Sequence, residues 1–259
     1  MTVGGVFART PSSRGDVLRA LIEDPASTPD LVDRVDASRS TVDRALEDLQ
    51  GCGLVRRSED TYEATAVGVQ TYEAYRSYLR RLEALDRVGE VFEPLPPDAP
   101  LNAEALVGAD VLWPETHAPG SVLHHTTGIV ERATRICGVG PAIFTEYIQA
   151  HRAAVEANDC SLEYVLPPGV IETARSTFTE AWADLRETGA LDLRVIDEAL
   201  PYELWHAETP SGAHAGITVF DDRGVHGAVV NDTDAMVSWA RSEFRAYRER
   251  ARAIADTDL

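Results

Sequence analysis

Three histidines, His117, His124 and His125, fall within nine residues in the run WPETHAPGSVLHH. Imidazoles at that density could hold zinc or nickel, which favour nitrogen ligands. The spacing departs from HExxH, and adjacent side chains on a helix point about 100° apart. The competing expectation is therefore a set of polar residues at a helix start; a metal-responsive role for the three stays open as an alternative, and no metal is assigned. Gly138 and Gly140 end an apolar run just before Pro141. If that run is a strand leading into a helix, the amides of the turn could hold an anion, although most such turns are only turns. Open α/β sheets bind ligands at strand ends. Trp113, His117, His124, Gly138, Gly140, Trp205 and His206 are therefore the candidate lining of a ligand pocket. No Walker loop or complete dinucleotide fingerprint is present, and no cofactor is expected. Cys52, Cys137 and Cys160 are odd in number, widely spaced and lack a CxxC pair. They read as small core residues of a protein in a reducing cytoplasm.

Positioning those residues requires strands and helices in alternation, and residues 101–259 supply that pattern. Strands are expected at 109–113, 135–139, 161–166 and 191–196, with helices at 122–134, 142–157 and 170–188 between them. Three further strands, 204–207, 215–220 and 227–230, surround the turn Asp221-Asp222-Arg223-Gly224. A last helix is expected from 233 to about 254. Alternation followed by a late meander implies an α/β domain with a mixed sheet.

The N-terminal third has a different character. In residues 28–55, TPDLVDRVDASRSTVDRALEDLQGCGLV, Thr28 is a good cap with Pro29 at the first helical position. Leu31, Val32 and Val35 form one apolar face. Asp36-Ala37 makes a turn and Ser38 caps a second helix. There Val42, Ala45, Leu46 and Leu49 recur at the helical period. Gly51 and Gly53 stop it. Residues 54–57 and 61–64 then pair as a hairpin across Ser58-Glu59-Asp60, and Val17, Leu18, Leu21 and Ile22 supply a supporting first helix. The order is a helix-turn-helix running into a wing, and the stretch resembles the winged-helix domains of archaeal and bacterial regulators. In that motif the second helix meets base edges in the major groove of double-stranded DNA through its N-terminal residues. The candidate DNA contacts are Ser38, Arg39, Ser40, Thr41 and Arg44, with Arg56 and Arg57 on the wing.

Composition complicates this expectation. The 259 residues carry a formal charge of -19, with 43 Asp and Glu against 24 basic residues, every one of them Arg. A large acidic excess ordinarily argues against nucleic acid. The absence of Lys together with that excess resembles proteins of salt-in halophilic archaea; a GC-rich genome would explain the missing Lys but not the acids. In molar salt the Debye length falls to roughly 3 Å and counterion release contributes little affinity. A DNA-binder there must rely on short-range contacts and groove shape. Residues 1–70 hold 8 Arg and 12 acids, whereas the remainder holds 16 and 31, so the acidic load lies mainly outside the helix-turn-helix. No run of eighteen apolar residues predicts a membrane span, and MTVGGVFARTPSSRGD, read as a short lead-in, lacks the apolar core of a signal peptide.

Between the two regions, residues 65–92 read as one long helix. Its Tyr72, Tyr75, Leu79 and Leu82 follow a three-four spacing that suits either a homodimer seam or packing within the chain. Residues 94–100 form a Pro-rich linker or crossing. The expected division is a winged helix-turn-helix over 1–66, a linker and dimerisation helix over 67–100, and an effector domain over 101–259.

The stretch LRVIDEALPYEL from Leu193, the following strand, the DDRG turn and the closing AMVSWARSEF helix resemble the effector domain of archaeal regulators of the methanogenesis-regulator and TrmB-like group. The resemblance implies an α/β (α+β overall) fold with a C-terminal domain of phospholipase D-like type. It also implies a transcription regulator whose operator binding responds to a small-molecule effector or a partner. Phospholipase D catalysis needs a His-x-Lys pair, and this chain has no Lys, so no enzymatic activity is expected. An enzyme with an accessory winged helix remains the other alternative.

Overall fold

The computed structural model describes residues 11–115, 117–118 and 120–254. Residues 1–10, most of the lead-in, lie outside the described residues. The chain divides into two compact units, one up to Arg80 and one from Arg81 onward.

The first unit contains helices α1 (Pro11–Glu23), α2 (Thr28–Val35) and α3 (Arg39–Gly51), then strands β1 (Val55–Ser58) and β2 (Thr61–Ala64) and the start of α4 (Ala66–Val88). The cap of α2 is Ser27 rather than the expected Thr28. Ser27 Oγ accepts from the Asp30 N–H while the Asp30 carboxylate accepts from the Ser27 N–H, closing a reciprocal capping box. Thr28 has no such partner, because the residue three further on is Leu31. Asp36 takes a left-handed conformation (φ 45°) and ends α2. Val17, Leu18 and Leu21 of α1 close one apolar core with Leu31 and with Val42, Ala45, Leu46 and Leu49 of α3. The hairpin pairs Arg56 with Glu63 and Arg57 with Tyr62, and left-handed Glu59 (φ 52°) makes its turn. Tyr62 exchanges both backbone hydrogen bonds with Ala26, at 3.0 and 2.8 Å, so the hairpin is tied to the segment ahead of α2. Tyr72 and Tyr75 of α4 pack on this core. Of the predicted seam, Leu79 is half-buried and Leu82 is 44% exposed.

The second unit contains β3 (Asp110–Leu112), α5 (Ser121–Val130), β4 (Arg135–Val139), α6 (Thr145–Asn158), β5 (Ser161–Leu166), α7 (Pro168–Thr177), α8 (Thr179–Glu187) and β6 (Leu191–Val195). There follow β7 (Glu203–Thr209), β8 (Gly212–Asp221), β9 (Gly224–Asn231), α9 (Asp234–Arg250) and β10 (Arg252–Ala253). One eight-stranded sheet runs in the order β10-β6-β5-β4-β7-β8-β9-β3. β4, β5 and β6 are parallel, and β7, β8 and β9 form an antiparallel meander joined to β4. This is the mixed sheet that the alternation of elements predicts. On one face Cys137, Val139, Leu204 and Ile217 pack with Met236, Ala240 and Phe244 of α9. On the other, Ile136, Leu162 and Trp205 pack with Ile148 and Ala154 of α6.

Several expected elements change, among them the long helix expected over 65–92, which ends at Val88. The helix expected over 170–188 breaks at Phe178 into α7 and α8. Thr173, Ser176 and Thr179 each return a hydroxyl hydrogen bond to the preceding turn, a habit that bends helices. The helix expected over 122–134 ends at Val130, and the last one ends at Arg250, where Arg252 and Ala253 instead pair with β6. Tyr202 donates its hydroxyl to the Pro100 carbonyl at 2.6 Å, and the buried Asn231 amide donates to the Ala105 and Val107 carbonyls at 2.9 and 3.0 Å. Among the described residues no helix is long and apolar enough to cross a membrane.

Candidate functional site

In the first unit the candidate contacts gather at the N-terminus of α3. Ser38 caps it, its Oγ accepting from the Thr41 N–H at 3.3 Å and lying 3.1 Å from Ser40 Oγ and 2.8 Å from Thr41 Oγ1. Three hydroxyls are thus fixed at a helix start, where the first backbone N–H groups lack intrahelical partners and Ser38 answers that of Thr41, with Ser38 and Ser40 exposed and Thr41 half-buried. Arg39 is exposed and loosely paired with Asp43 at 3.9 Å, an interaction worth little in solvent. Arg44 is exposed and has no hydrogen-bond or ion-pair partner among the described residues. The opposite face of α3 is closed by core residues. Arg56 and Arg57 are engaged within their own hairpin. Arg56 pairs with Glu63 across the strands, while Arg57 donates to the Glu59 carbonyl at 3.1 Å and lies 6.0 Å from the Tyr62 ring centroid. An exposed pair such as Arg56–Glu63 contributes little to stability.

The seven residues expected to line one pocket are dispersed in the second unit. Trp113 is 43% exposed, edge-on to His226. His117 and His124 are exposed. Among the described residues no group of three or more His, Cys, Asp or Glu side chains could hold a metal ion. His117, His124 and His125 are accordingly not assembled into a ligand set. Trp205 and His206 are neighbours on β7 and so face opposite sides of the sheet. Trp205 is buried over Gly216, its Nε1 without a partner. His206 packs edge-on to Phe244, and burial first, then Arg241 and Arg135, lowers its pKa to about 4. Gly138 is required for packing, since a Cβ there would lie 2.4 Å from the Tyr164 ring.

Only Gly140 of the seven lines the mostly apolar cavity between the sheet and α6 and α8. The cavity holds about 60 Å³ beneath Ala142 and Ile143, which are half-buried, and Trp182, Leu185 and Leu193 form much of its wall. It lies along one face of the sheet, against β5 from Leu162 to Leu166 and β6 from Leu191 to Leu193, with Gly140 just beyond β4. Its polar groups come from Tyr147 and His151 on α6, Tyr164 on β5 and Glu203 on β7. His151 Nδ1 donates to the Tyr147 carbonyl, which leaves Nε2 to accept the Tyr164 hydroxyl at 2.6 Å. Burial accordingly lowers the His151 pKa to about 4 and keeps the ring neutral. The Tyr147 hydroxyl is 3.0 Å from Thr126 Oγ1, and burial raises its pKa.

Glu203 is only 7% exposed, and its Oε2 has no hydrogen-bond partner. Burial raises its pKa from 4.5 to about 7, opposed by the nearby Thr218 and Tyr147 hydroxyls, of which Thr218 Oγ1 is itself buried with no other partner. A Cβ on Gly140 would stand 3.2 Å from Glu203 Cγ, so the glycine leaves the carboxyl its room. Glu203 does not stand out in the sequence. Its signal was slight, one acid at the head of the apolar run Leu204-Trp205-His206-Ala207.

Two family models match the chain. The model of the methanogenesis regulatory protein FilR1 middle domain matches residues 119–250, and that of the HVO_A0261 N-terminal domain matches residues 7–87. No curated protein matches. Among solved structures, TrmBL2, an archaeal chromatin protein whose structure is described as showing a novel mode of DNA binding, is 12% identical with a TM-score of 0.44, over 96% of this chain and 97% of its own. Nuc from Salmonella typhimurium, a phospholipase D family member, is 10% identical with a TM-score of 0.44, over 57% and 99%.

Proposed function

We propose that this chain, which belongs to the methanogenesis regulatory protein FilR1 middle-domain family, is a DNA-binding transcription regulator with a non-catalytic effector domain. The observation that carries this reading is α3. Its buried face completes the core of the first unit, while Ser38, Arg39, Ser40 and Arg44 are exposed and Thr41 is half-buried beside them. That is the disposition a recognition helix needs. On this reading α1 to β2 form a winged helix-turn-helix, and Arg56 and Arg57 touch phosphate once released from Glu63 and Glu59. The acidic, Lys-free composition suits a halophilic archaeal cytoplasm, where salt screens the chain's own repulsion and short-range contacts decide affinity. Dimerisation through α4, whose Leu82 and Leu85 are 44% and 40% exposed, would match two-fold symmetric operators. Effector binding in the second unit would bias operator affinity.

Gel-shift titration of genomic fragments at about 2 M KCl, where screening dominates, tests the proposal. The wild type is expected to select particular fragments. Arg44→Ala is expected to lose about tenfold or more in affinity, equivalent to one good base or phosphate contact. Binding without sequence preference, together with unchanged behaviour of Arg44→Ala, would overturn it.

A further inference from the structure

Glu203 is out of keeping with its surroundings. The cavity wall is apolar, and no Arg lines it. His151 is the only other titratable base there, and its two ring nitrogens are already committed to the Tyr147 carbonyl and the Tyr164 hydroxyl. No cationic group within the cavity therefore neutralises an ionised Glu203; the Thr218 and Tyr147 hydroxyls beside it are neutral, and Oε2 has no full hydrogen bond. Buried polar atoms are rarely left in this state unless a ligand or water completes them. A bulkier residue at position 140 would crowd this carboxyl, whereas Gly140 leaves the space open.

We infer that this cavity is a binding site for a small primary alkylammonium ion, whose charged head pairs with Glu203 and whose short aliphatic tail lies against Leu185, Leu193 and Trp182. A cation supplies a further donor for Oε2 and, beyond what the neutral hydroxyls of Thr218 and Tyr147 offer, a compensating charge. An alcohol supplies only the first, and a carboxylate would add repulsion. Size restricts the tail. At about 60 Å³ the cavity is smaller than one of roughly 150 Å³ that accepts benzene, so the enclosed tail must be short and unbranched. Tyr147 adds a hydroxyl beside the carboxyl, and Ala142 stands at the half-buried rim. The inference rests on reading the second unit as an effector domain and gives that effector a chemical class.

Calorimetric titration of the full chain with n-butylammonium chloride, at fixed total salt, is the direct test. Saturable binding is expected, with proton release near pH 6 as the buried carboxyl gives up its proton. Glu203→Gln should weaken binding about tenfold or more, the value of one charge-assisted hydrogen bond. Ala142→Leu, which fills the cavity from its rim and leaves Glu203 in place, should abolish binding while the protein keeps its circular dichroism spectrum. It keeps the inference testable should Glu203→Gln fail to fold. n-Butanol and butyrate should bind weakly or not at all. Absence of saturable binding by the wild type, unchanged affinity in either folded variant, or equal binding of n-butanol would overturn the assignment. The readout involves no DNA. Failure here leaves the gel-shift result standing, and failure of the gel shift leaves the cavity's chemistry standing.

Discussion

At the start of α3, Ser38, Ser40 and Arg44 stand in solvent above a closed apolar core. In the second unit, by contrast, Glu203 stands inside the apolar wall with an oxygen unanswered. The first arrangement places little strain on folding, because water satisfies each group until a partner arrives. The second keeps a polar group where water hardly reaches it, at the expense of stability. The contrast teaches that the two units can prepare for partners by different physics. A surface that meets a large polar ligand can leave its groups hydrated, whereas a pocket for a small one must hold a desolvated group in readiness.

The sharpest way to break the comparison is to damage the core beneath the exposed groups. Leu46→Ala removes a side chain that is 2% exposed in the first unit and should destabilise that unit by about 2–5 kcal/mol in urea unfolding, while n-butylammonium binding persists. A loss under about 1 kcal/mol would mean that the core beneath α3 is less closely packed than its burial indicates.

The next largest effect concerns Glu203. Its pKa is raised from 4.5 to about 7 in the folded state, so the native protein holds an extra proton between those values and loses stability as pH rises through the window. Glu203→Gln has no such loss. Its stability relative to wild type should increase by up to about 3 kcal/mol from pH 4.5 to pH 7 and then level off. His151 and His206, both lowered to about 4, act in the opposite sense as pH falls below 6.5, but they are present in both proteins and cancel from the difference. Parallel urea midpoints across this range would show that Glu203 is better solvated than its burial implies.

The smallest effect belongs to Ser27. Ser27→Ala removes the capping box of α2 and should lower the stability of the first unit by about 1 kcal/mol, with the second unit's unfolding transition unmoved. An equal loss on Thr28→Ala would restore Thr28 as the cap.

How much of this could be read from the chain depended on how local the determining contacts are. The run from Leu31 to Leu49 states its helices outright, because apolar period, cap and turn all lie within a few residues. β4 and β5 were legible to the residue, since Arg135–Val139 and Ser161–Leu166 are short apolar runs between turn residues. The break at Phe178 was not, as it depends on which Ser and Thr hydroxyls turn back onto the helix. β10 was hidden because two residues acquire strand character only from the β6 edge beside them. The ligand site was least legible. Trp205 and His206 are adjacent in sequence yet lie on opposite faces of the sheet, and the cavity takes residues from β4's end, β5, β6, β7, α6 and α8. Only tertiary structure brings Glu203 to Tyr147, Gly140 and Leu193.

The hydrogen bonds from Tyr202 to Pro100 and from Asn231 to Ala105 and Val107 carry a further consequence, for proteolysis. A Pro-rich stretch after a long helix looks like a natural place for a protease to nick. Here the chain around 100–107 is fastened by a buried amide and a buried phenol on β9 and ahead of β7, so it opens only when those strands loosen. Cleavage there should follow the slow amide exchange of the sheet, and digestion should report the unfolding of the second unit instead of the slackness of a tether.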